Sequence, residues 1–313
     1  MSGTIPHYPP ADQTSPISIV IPTYNRIDVL PNCLRHLEQQ TWNDFEVVVV
    51  DDGSTDATPQ FLQQYAASGK LRLRFTRQPN SGPARARNLG VSLTQSPICL
   101  FIGDDILPTP TFVATHLAFH RANPSPRFAA LGLTRWSESE QTVTPFMRWL
   151  DHGFQFDYNA LLNGRTPDWR HLYTSNLSLK TDLLRRHPFN ERFETALMED
   201  VELGYRLQLL EDLRLTFLPD ALAEHVHPTD FRKACRRALA TGRAYTLLEA
   251  LCPNALPRKS PARLLLRDLL GRCSWLLPPS TWLVDKLTRL WCPNPLLQPV
   301  LSLHAAVGRR QHN

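Results

Sequence analysis

Four short apolar runs, rich in β-branched residues and each followed by a polar turn, constrain this chain more than any other feature. Ile17–Ile21 ends at Pro22, and Phe45–Val50 ends at Asp51-Asp52-Gly53-Ser54. Leu71–Phe75 runs out shortly before Asn80, and Ile98–Ile102 stops at Gly103-Asp104-Asp105. Runs of this length and composition read as buried strands. The stretches between them have helical character: Arg26–Gln40, with apolar residues at 27, 29, 30, 34 and 37, then Thr55–Ala67, then Gly82–Leu93, opened by Gly-Pro. Strands that alternate with helices pair in parallel and are covered on both faces. Ligands of such sheets bind beyond the carboxyl ends of the strands. Here those ends carry Thr23 and Asn25, Asp51 and Asp52, Asn80, and Asp104 and Asp105. Four strand ends furnish one candidate site.

Past residue 128 the pattern changes. Short strand-like runs at Phe128–Leu133, Leu215–Leu218 and Leu222–Val226 mix with loops and a helix over Val201–Leu210. They predict a second half that completes the sheet in a mixed style. Residues 229–313 read as helical pieces interrupted by prolines at 253, 257, 261, 278, 279, 293 and 295. The expected organisation is a loose polar leader over 1–15, one α/β domain over 16–228 with halves 16–108 and 109–228, and a helical tail over 229–313.

Composition narrows the function classes. At 42% hydrophobic and 20% charged, the chain has ordinary globular usage, which excludes a disordered or multi-span membrane protein. No stretch reaches ~18 uninterrupted apolar residues, so no spanning helix is expected. The proline-rich start, MSGTIPHYPPADQTSP, lacks the basic flank and apolar run of a secretory signal. The cysteines, at 33, 99, 235, 252, 273 and 292, form no CxxC pair and read as reduced thiols, pointing to the cytoplasm. Residues 229–313 hold fourteen basic and four acidic side chains, a net +10, against −5 for residues 1–228. A tail of that charge seeks phosphates. No nucleic-acid recognition motif accompanies it, so no nucleic-acid partner is expected. With Trp275, Trp282 and Trp291 among leucines, it suits the inner face of an anionic membrane.

Adjacent carboxylates at the end of a buried strand are costly unless something positive sits on them. Asp104-Asp105 therefore points to a divalent metal, magnesium or manganese, holding a diphosphate. The alternative is a solvated Asp-Asp turn, and Asp51-Asp52-Gly53-Ser54 has the same alternative. Their recurrence at successive strand ends favours a site.

The chain resembles the family 2 glycosyltransferases of the GT-A fold. The resemblance is carried by five segments in order: Ser18–Arg26 (SIVIPTYNR), Val49–Asp56 (VVDDGSTD), Asn80–Gly90 (NSGPARARNLG), Phe101–Asp105 (FIGDD) and Met198–Arg206 (MEDVELGYR). It implies a Rossmann-like, mainly parallel sheet flanked by helices, with the tail as a C-terminal helical extension. The first half would bind a nucleotide diphosphate sugar and the second an acceptor. It further implies that Asp52 contacts the nucleotide base beside Pro22, Thr23 and Tyr24, and that Arg85 or Arg87 lies near the base or phosphates. Asp104 would lie near the ribose and Asp105 on the metal, while Asp200 would act as catalytic base. One departure from the usual Asp-x-Asp is Gly103 in the first acidic position.

The residues themselves support the base. A sugar hydroxyl is a poor nucleophile, and a general base contributes roughly 10²–10⁴ in rate. Glu199 and Asp200 stand just before the predicted helix, where its dipole stabilises acids. His225 and His227 alternate along a strand-like run and would face one side, with His227 preferred as a metal ligand. Asn176, in Thr174–Leu179, and Glu199 are candidates for contact with sugar or acceptor. The expected activity is inverting transfer of a sugar to a glycan or lipid-linked acceptor, in cell-surface glycan or glycolipid synthesis. The absence of a Gln-x-x-Arg-Trp motif argues for single addition. The alternatives are a nucleotidyltransferase, and a non-catalytic protein that binds nucleotide sugars or membranes.

Overall fold

The computed structural model describes residues 14–151, 156–255, 269, 272, 274–290 and 294–311. The leader up to residue 13, Trp291, Cys273 and Cys292 lie outside the described residues. The chain divides into two compact units. One holds the chain up to Glu140 together with Ala160–His227, and the other holds Gln141–Asn159 with the chain from Pro228 onward.

The first unit is built on an eight-stranded sheet: β1 (Ile17–Thr23), β2 (Glu46–Asp51), β3 (Leu73–Arg77), β4 (Ile98–Ile102), β5 (Ile106–Pro108), β6 (Phe128–Trp136), β7 (Asn176–Lys180) and β8 (Arg214–His225). The spatial order is β3-β2-β1-β4-β7-β6-β8-β5. Pairing is parallel from β3 to β4, antiparallel through β7 to β6, parallel from β6 to β8, and antiparallel at β5. This is the α/β sheet expected from the alternation, with a mixed second half.

Alternation of side chains explains why the first strands are apolar throughout. Ile17, Ile19, Ile21, Val47, Val49, Ile98, Leu100 and Ile102 face one core with Leu30, Leu34 and Leu37. Val20, Val48, Cys99 and Phe101 face the other with Ala84, Val91, Leu203 and Leu207. Helices Leu30–Glu38 and Phe112–Ala122 cover the first face, and Pro83–Leu93 and Glu199–Glu211 cover the second. Each such aliphatic side chain contributes about 1.5–3 kcal/mol on burial, so both faces are fixed, and with them the strand ends.

Two expected runs, Leu215–Leu218 and Leu222–Val226, are parts of one strand, β8. Gly132 pairs with Leu218 but Leu133 pairs with Leu222, so residues 219–221 bulge out. Asn176 closes that bulge. Its amide nitrogen donates to the carbonyls of Leu133 at 3.1 Å and Ala221 at 2.9 Å, and its oxygen pairs with His116 Nε2 at 2.9 Å. The strand and its bulge carry His225 to the site.

The second unit is helical, with Pro145–Leu150, Phe231–Leu251, Leu277–Leu290 and Asn294–Arg310. The Asp230 carboxylate caps Phe231–Leu251 by accepting from the Lys233 amide at 2.7 Å. Arg232 pairs with Asp285 at 2.8 Å, and Arg309 with Glu249 at 2.7 Å. Trp275 is 71% exposed and Trp282 53%, with Lys286 over the Trp282 ring. Among the described residues no helix is long and apolar enough to cross a membrane.

Candidate functional site

The parallel register of β1, β2 and β4 lines up three loops. Thr23, the last residue of β1, donates its hydroxyl to Asp104 Oδ2 at 2.7 Å. Asn25 takes up a left-handed conformation, φ 53°, which asparagine tolerates better than most residues. Its amide donates to Ser54 Oγ at 2.8 Å, and its side-chain oxygen accepts from the Thr55 amide at 2.7 Å. This clasp ties the β1 loop to the β2 loop and turns the next residue, Arg26, back toward the sheet. Arg26 Nε lies 3.1 Å from Asp104 Oδ1, and Nη2 bonds Asp105 Oδ2.

Asp105 is the meeting point. Strand β5 follows it and pairs with β8, so that Ile106 stands opposite His225 and the Val226 amide donates to the Asp105 carbonyl at 2.9 Å. His227 Nδ1 and His225 Nε2 lie 3.3 and 3.5 Å from Asp105 Oδ2. The possible donor atoms of these three residues are all within 4.8 Å of one another. His225 stacks flat on Trp136, its cross-strand partner, at 5.2 Å, which fixes the ring. Gly103 makes room for the carboxylate. A Cβ there would sit 2.8 Å from Asp105 Oδ1, so a larger residue would require the carboxylate to turn aside.

Electrostatics separate the two neighbours. Burial, and then the adjacent Asp105, push Asp104 up to about 6 against the pull of Arg26. Burial also pushes Asp105 upward, but His225, His227 and Arg26 outweigh it and hold this carboxyl well below the usual range. Asp105 is thus the more readily ionised of the two. One carboxylate and two imidazoles on a shared focus form a donor set that fits a divalent transition ion. Imidazole nitrogens suit manganese better than magnesium, which prefers oxygen throughout.

Asp52 sits at the end of β2, buried. Its Oδ1 accepts from Gln78 Nε2 at 2.7 Å and the Ser81 amide at 2.9 Å, and Oδ2 accepts from the Gly82 amide at 2.9 Å. Three donors on a carboxylate with about four acceptor positions leave one position open. Gly53, φ 84°, is the turn that permits this loop, since a Cβ there would meet the Asn80 amide at 2.7 Å. Pro22 is half-buried, and Tyr24 is exposed beside the same loops.

A second acidic group lies on helix Glu199–Glu211. Glu199 and Asp200 form its first turn rather than preceding it, because Met198, in a left-handed conformation, is the N-cap. Glu199 is buried and pairs with Arg87 at 2.7 Å. Burial, then Glu199, push Asp200 up to about 7, against Arg87. Such a carboxylate is a base poised at neutral pH.

The structure separates other candidates. Arg85 and Arg87, two residues apart on one helix, point to different sides. Arg87 is committed to Glu199, whereas Arg85 is exposed, with Glu191 at 3.8 Å. Asn176 is fully buried, with every polar atom of its amide used on the bulge and His116. The structure therefore places Asn176 in the core, and Glu199 in a buried ion pair. Arg26 and His225 join the cluster at Asp105. Arg26 was signalled only by its place in the segment after β1, and His225 by its alternation with His227.

Residues 18–171 match the family model described as Glycosyl transferase family 2. The chain is 34% identical over 218 residues to validoxylamine A glucosyltransferase of Streptomyces hygroscopicus subsp. jinggangensis (strain 5008), covering 61% of this chain and 51% of that protein. It is 43% identical over 88 residues to a PGL/p-HBAD biosynthesis glycosyltransferase of Mycobacterium bovis (strain BCG / Pasteur 1173P2), covering 28% of this chain and 34% of that protein. The chain spans about half the length of the validoxylamine A glucosyltransferases it matches. Among solved structures it is similar to the mannosyltransferase PcManGT from Pyrobaculum calidifontis in complex with GDP-Man and Mn2+. That likeness has a TM-score of 0.60 and 19% identity, over 96% of this chain and 88% of that one. It is also similar to S. aureus TarS 1-349 in complex with UDP, with a TM-score of 0.52 and 19% identity, over 95% and 90%. The fold is that of the GT-A glycosyltransferases.

Proposed function

We propose that this chain, whose residues 18–171 carry a glycosyl transferase family 2 domain, is an inverting glycosyltransferase that moves a sugar from a nucleotide diphosphate sugar to an acceptor hydroxyl. The observation that carries the reading is the convergence of Thr23, Arg26, Asp104, Asp105, His225 and His227 at the strand ends. The GDP-Man and UDP bound by the structural neighbours support a nucleotide-sugar donor.

Asp105, His225 and His227 would hold the divalent ion, manganese in preference to magnesium. When bound, the ion offsets charge developing on the leaving diphosphate. Asp52, with its one open acceptor position, receives a donor N–H of the base, beside Pro22, Thr23 and Tyr24. Asp104, oriented by the Thr23 hydroxyl, faces the ribose. Arg85, exposed and loosely paired, is the arginine free to reach the donor, while Arg87 acts through Glu199. Asp200 takes the proton of the acceptor hydroxyl. The hydroxyl oxygen forms its bond to the anomeric carbon as the bond from that carbon to the diphosphate oxygen breaks. The electron pair leaves with the nucleoside diphosphate, and attack from the opposite face inverts the anomeric configuration. The acceptor is a glycan or a lipid-linked sugar. A panel of nucleotide sugars, each with manganese, tests the donor. One is expected to raise the melting temperature only when the ion is present, and to add one sugar mass to an acceptor. If none binds, the non-catalytic membrane-binding alternative stands instead.

The basic unit supports a location on the cytoplasmic face of an anionic membrane. Basic side chains near such a surface contribute about 1 kcal/mol each, and Trp275 and Trp282 are exposed where an interface would receive them. Trp275→Ser/Trp282→Ser in the full chain is expected to shift the protein from phosphatidylserine liposomes to the supernatant. Equal sedimentation of variant and wild type would contradict the docking.

A further inference from the structure

We infer that Arg26 is the resident counter-ion of the metal site: it neutralises Asp104 and Asp105 while the site holds no ion, gives up Asp105 when a divalent ion arrives, and then serves the donor's diphosphate. The inference rests on reading Asp105, His225 and His227 as the ion site.

The geometry is one of competition. A single carboxylate oxygen, Asp105 Oδ2, is approached from three sides, by Arg26 Nη2, His227 Nδ1 at 3.3 Å and His225 Nε2 at 3.5 Å. The guanidinium also bonds Asp104 Oδ1 through Nε at 3.1 Å, so one planar cation spans both acids. Buried neighbouring carboxylates need such a partner. A divalent ion on Asp105 and the two imidazoles needs the same oxygen. Two positive groups cannot share it without strong repulsion in a partly buried site. The imidazoles can remain as neutral ligands, but the arginine is always charged and has no lone pair to offer. Arg26 is therefore the group that yields.

Its backbone does not need to move. Asn25 is clasped by Ser54 and Thr55, and the Arg26 amide donates to Thr58 Oγ1 at 3.2 Å. The root of the side chain is thus fixed beside the acids, and only the long, 28% exposed side chain is free to turn. Ions of this kind fill their remaining positions with substrate phosphates. A displaced guanidinium rooted there is next to a diphosphate, which it can bond in the same forked way. One cation serves the carboxylates before the ion binds and the diphosphate afterwards.

Calorimetric titration with manganese alone, and then with UDP or GDP at saturating manganese, tests the exchange. Arg26→Met is expected to bind manganese about tenfold more tightly than wild type, because the competing charge is gone. The same variant is expected to bind the nucleoside diphosphate at least about tenfold more weakly. Arg26→Lys, which keeps charge but loses the fork, is expected to fall between the two in both titrations. Arg26→Gln replaces the methionine variant if the latter melts at a lower temperature than it can be titrated. Equal or weaker manganese binding by the neutral variant overturns the proposal, and so does unchanged nucleoside diphosphate binding. Asp105→Ala separates this from failure of the ion site itself. If it binds manganese like wild type, the site is misassigned. If it loses the ion while Arg26→Met behaves as wild type, only the exchange is wrong.

Discussion

Asp200→Asn is expected to lower turnover by about 10²–10⁴-fold with little change in donor affinity. Asparagine keeps the shape of the side chain but cannot accept a proton. In the wild-type protein, burial and the neighbouring Glu199 push Asp200 up to about 7, and Arg87 restrains the rise. The base works only when ionised, so wild-type turnover should rise with pH through about 7 and level off above it. The asparagine variant should lose that limb of the profile. Because Glu199 is the nearest cause of the shift after burial, Glu199→Gln should move the midpoint downward. A steady-state pH profile of the three proteins checks the set. A wild-type rate in the asparagine variant would remove Asp200 from the mechanism.

Asp105→Ala is expected to abolish manganese-dependent binding of nucleoside diphosphate and to lower turnover by at least about 10³-fold. The carboxylate is the one residue to which both histidines and Arg26 are turned. Its removal leaves two imidazoles, which hold a divalent ion weakly, and frees Arg26 to remain on Asp104. His227→Ala should retain part of the affinity, since Asp105 remains and His225 stays stacked on Trp136. Chelation of the wild-type protein should reproduce the alanine variant. Full activity in chelator would show that the ion has no part in the reaction.

The sheet was legible because its first strands are buried on both faces. Ile98–Ile102 reads as it folds, stopped by Gly103, while Ile17–Ile21 lies within β1, which carries on through Pro22 to Thr23 beside β2. The mixed second half was harder. Strand β5, of three residues, is too short to show a period, and it exists because β8 runs beside it. The bulge at 219–221 hid the continuity of β8, since Pro219 and Asp220 read as a break. What holds the bulge is Asn176 with His116, a contact distant in sequence that no local pattern carries. The acids of the candidate site were visible as residues at strand ends. Their partners were less so. Arg26 stood in plain view after β1, but its direction depends on the left-handed Asn25, whose φ is set by the β2 loop. Likewise, Arg87 and Glu199 are 112 positions apart, and only the packing of two helices on one sheet face joins them.

The central claim is transfer of a sugar with inversion, the nucleoside diphosphate leaving. The most direct measurement is proton NMR of a complete reaction, with the accepted nucleotide sugar, acceptor and manganese in one tube. The coupling constant of the new anomeric proton should report the configuration opposite to that of the donor, with one nucleoside diphosphate released for each bond formed. Retention of configuration, or release of pyrophosphate in place of the nucleoside diphosphate, would contradict the account.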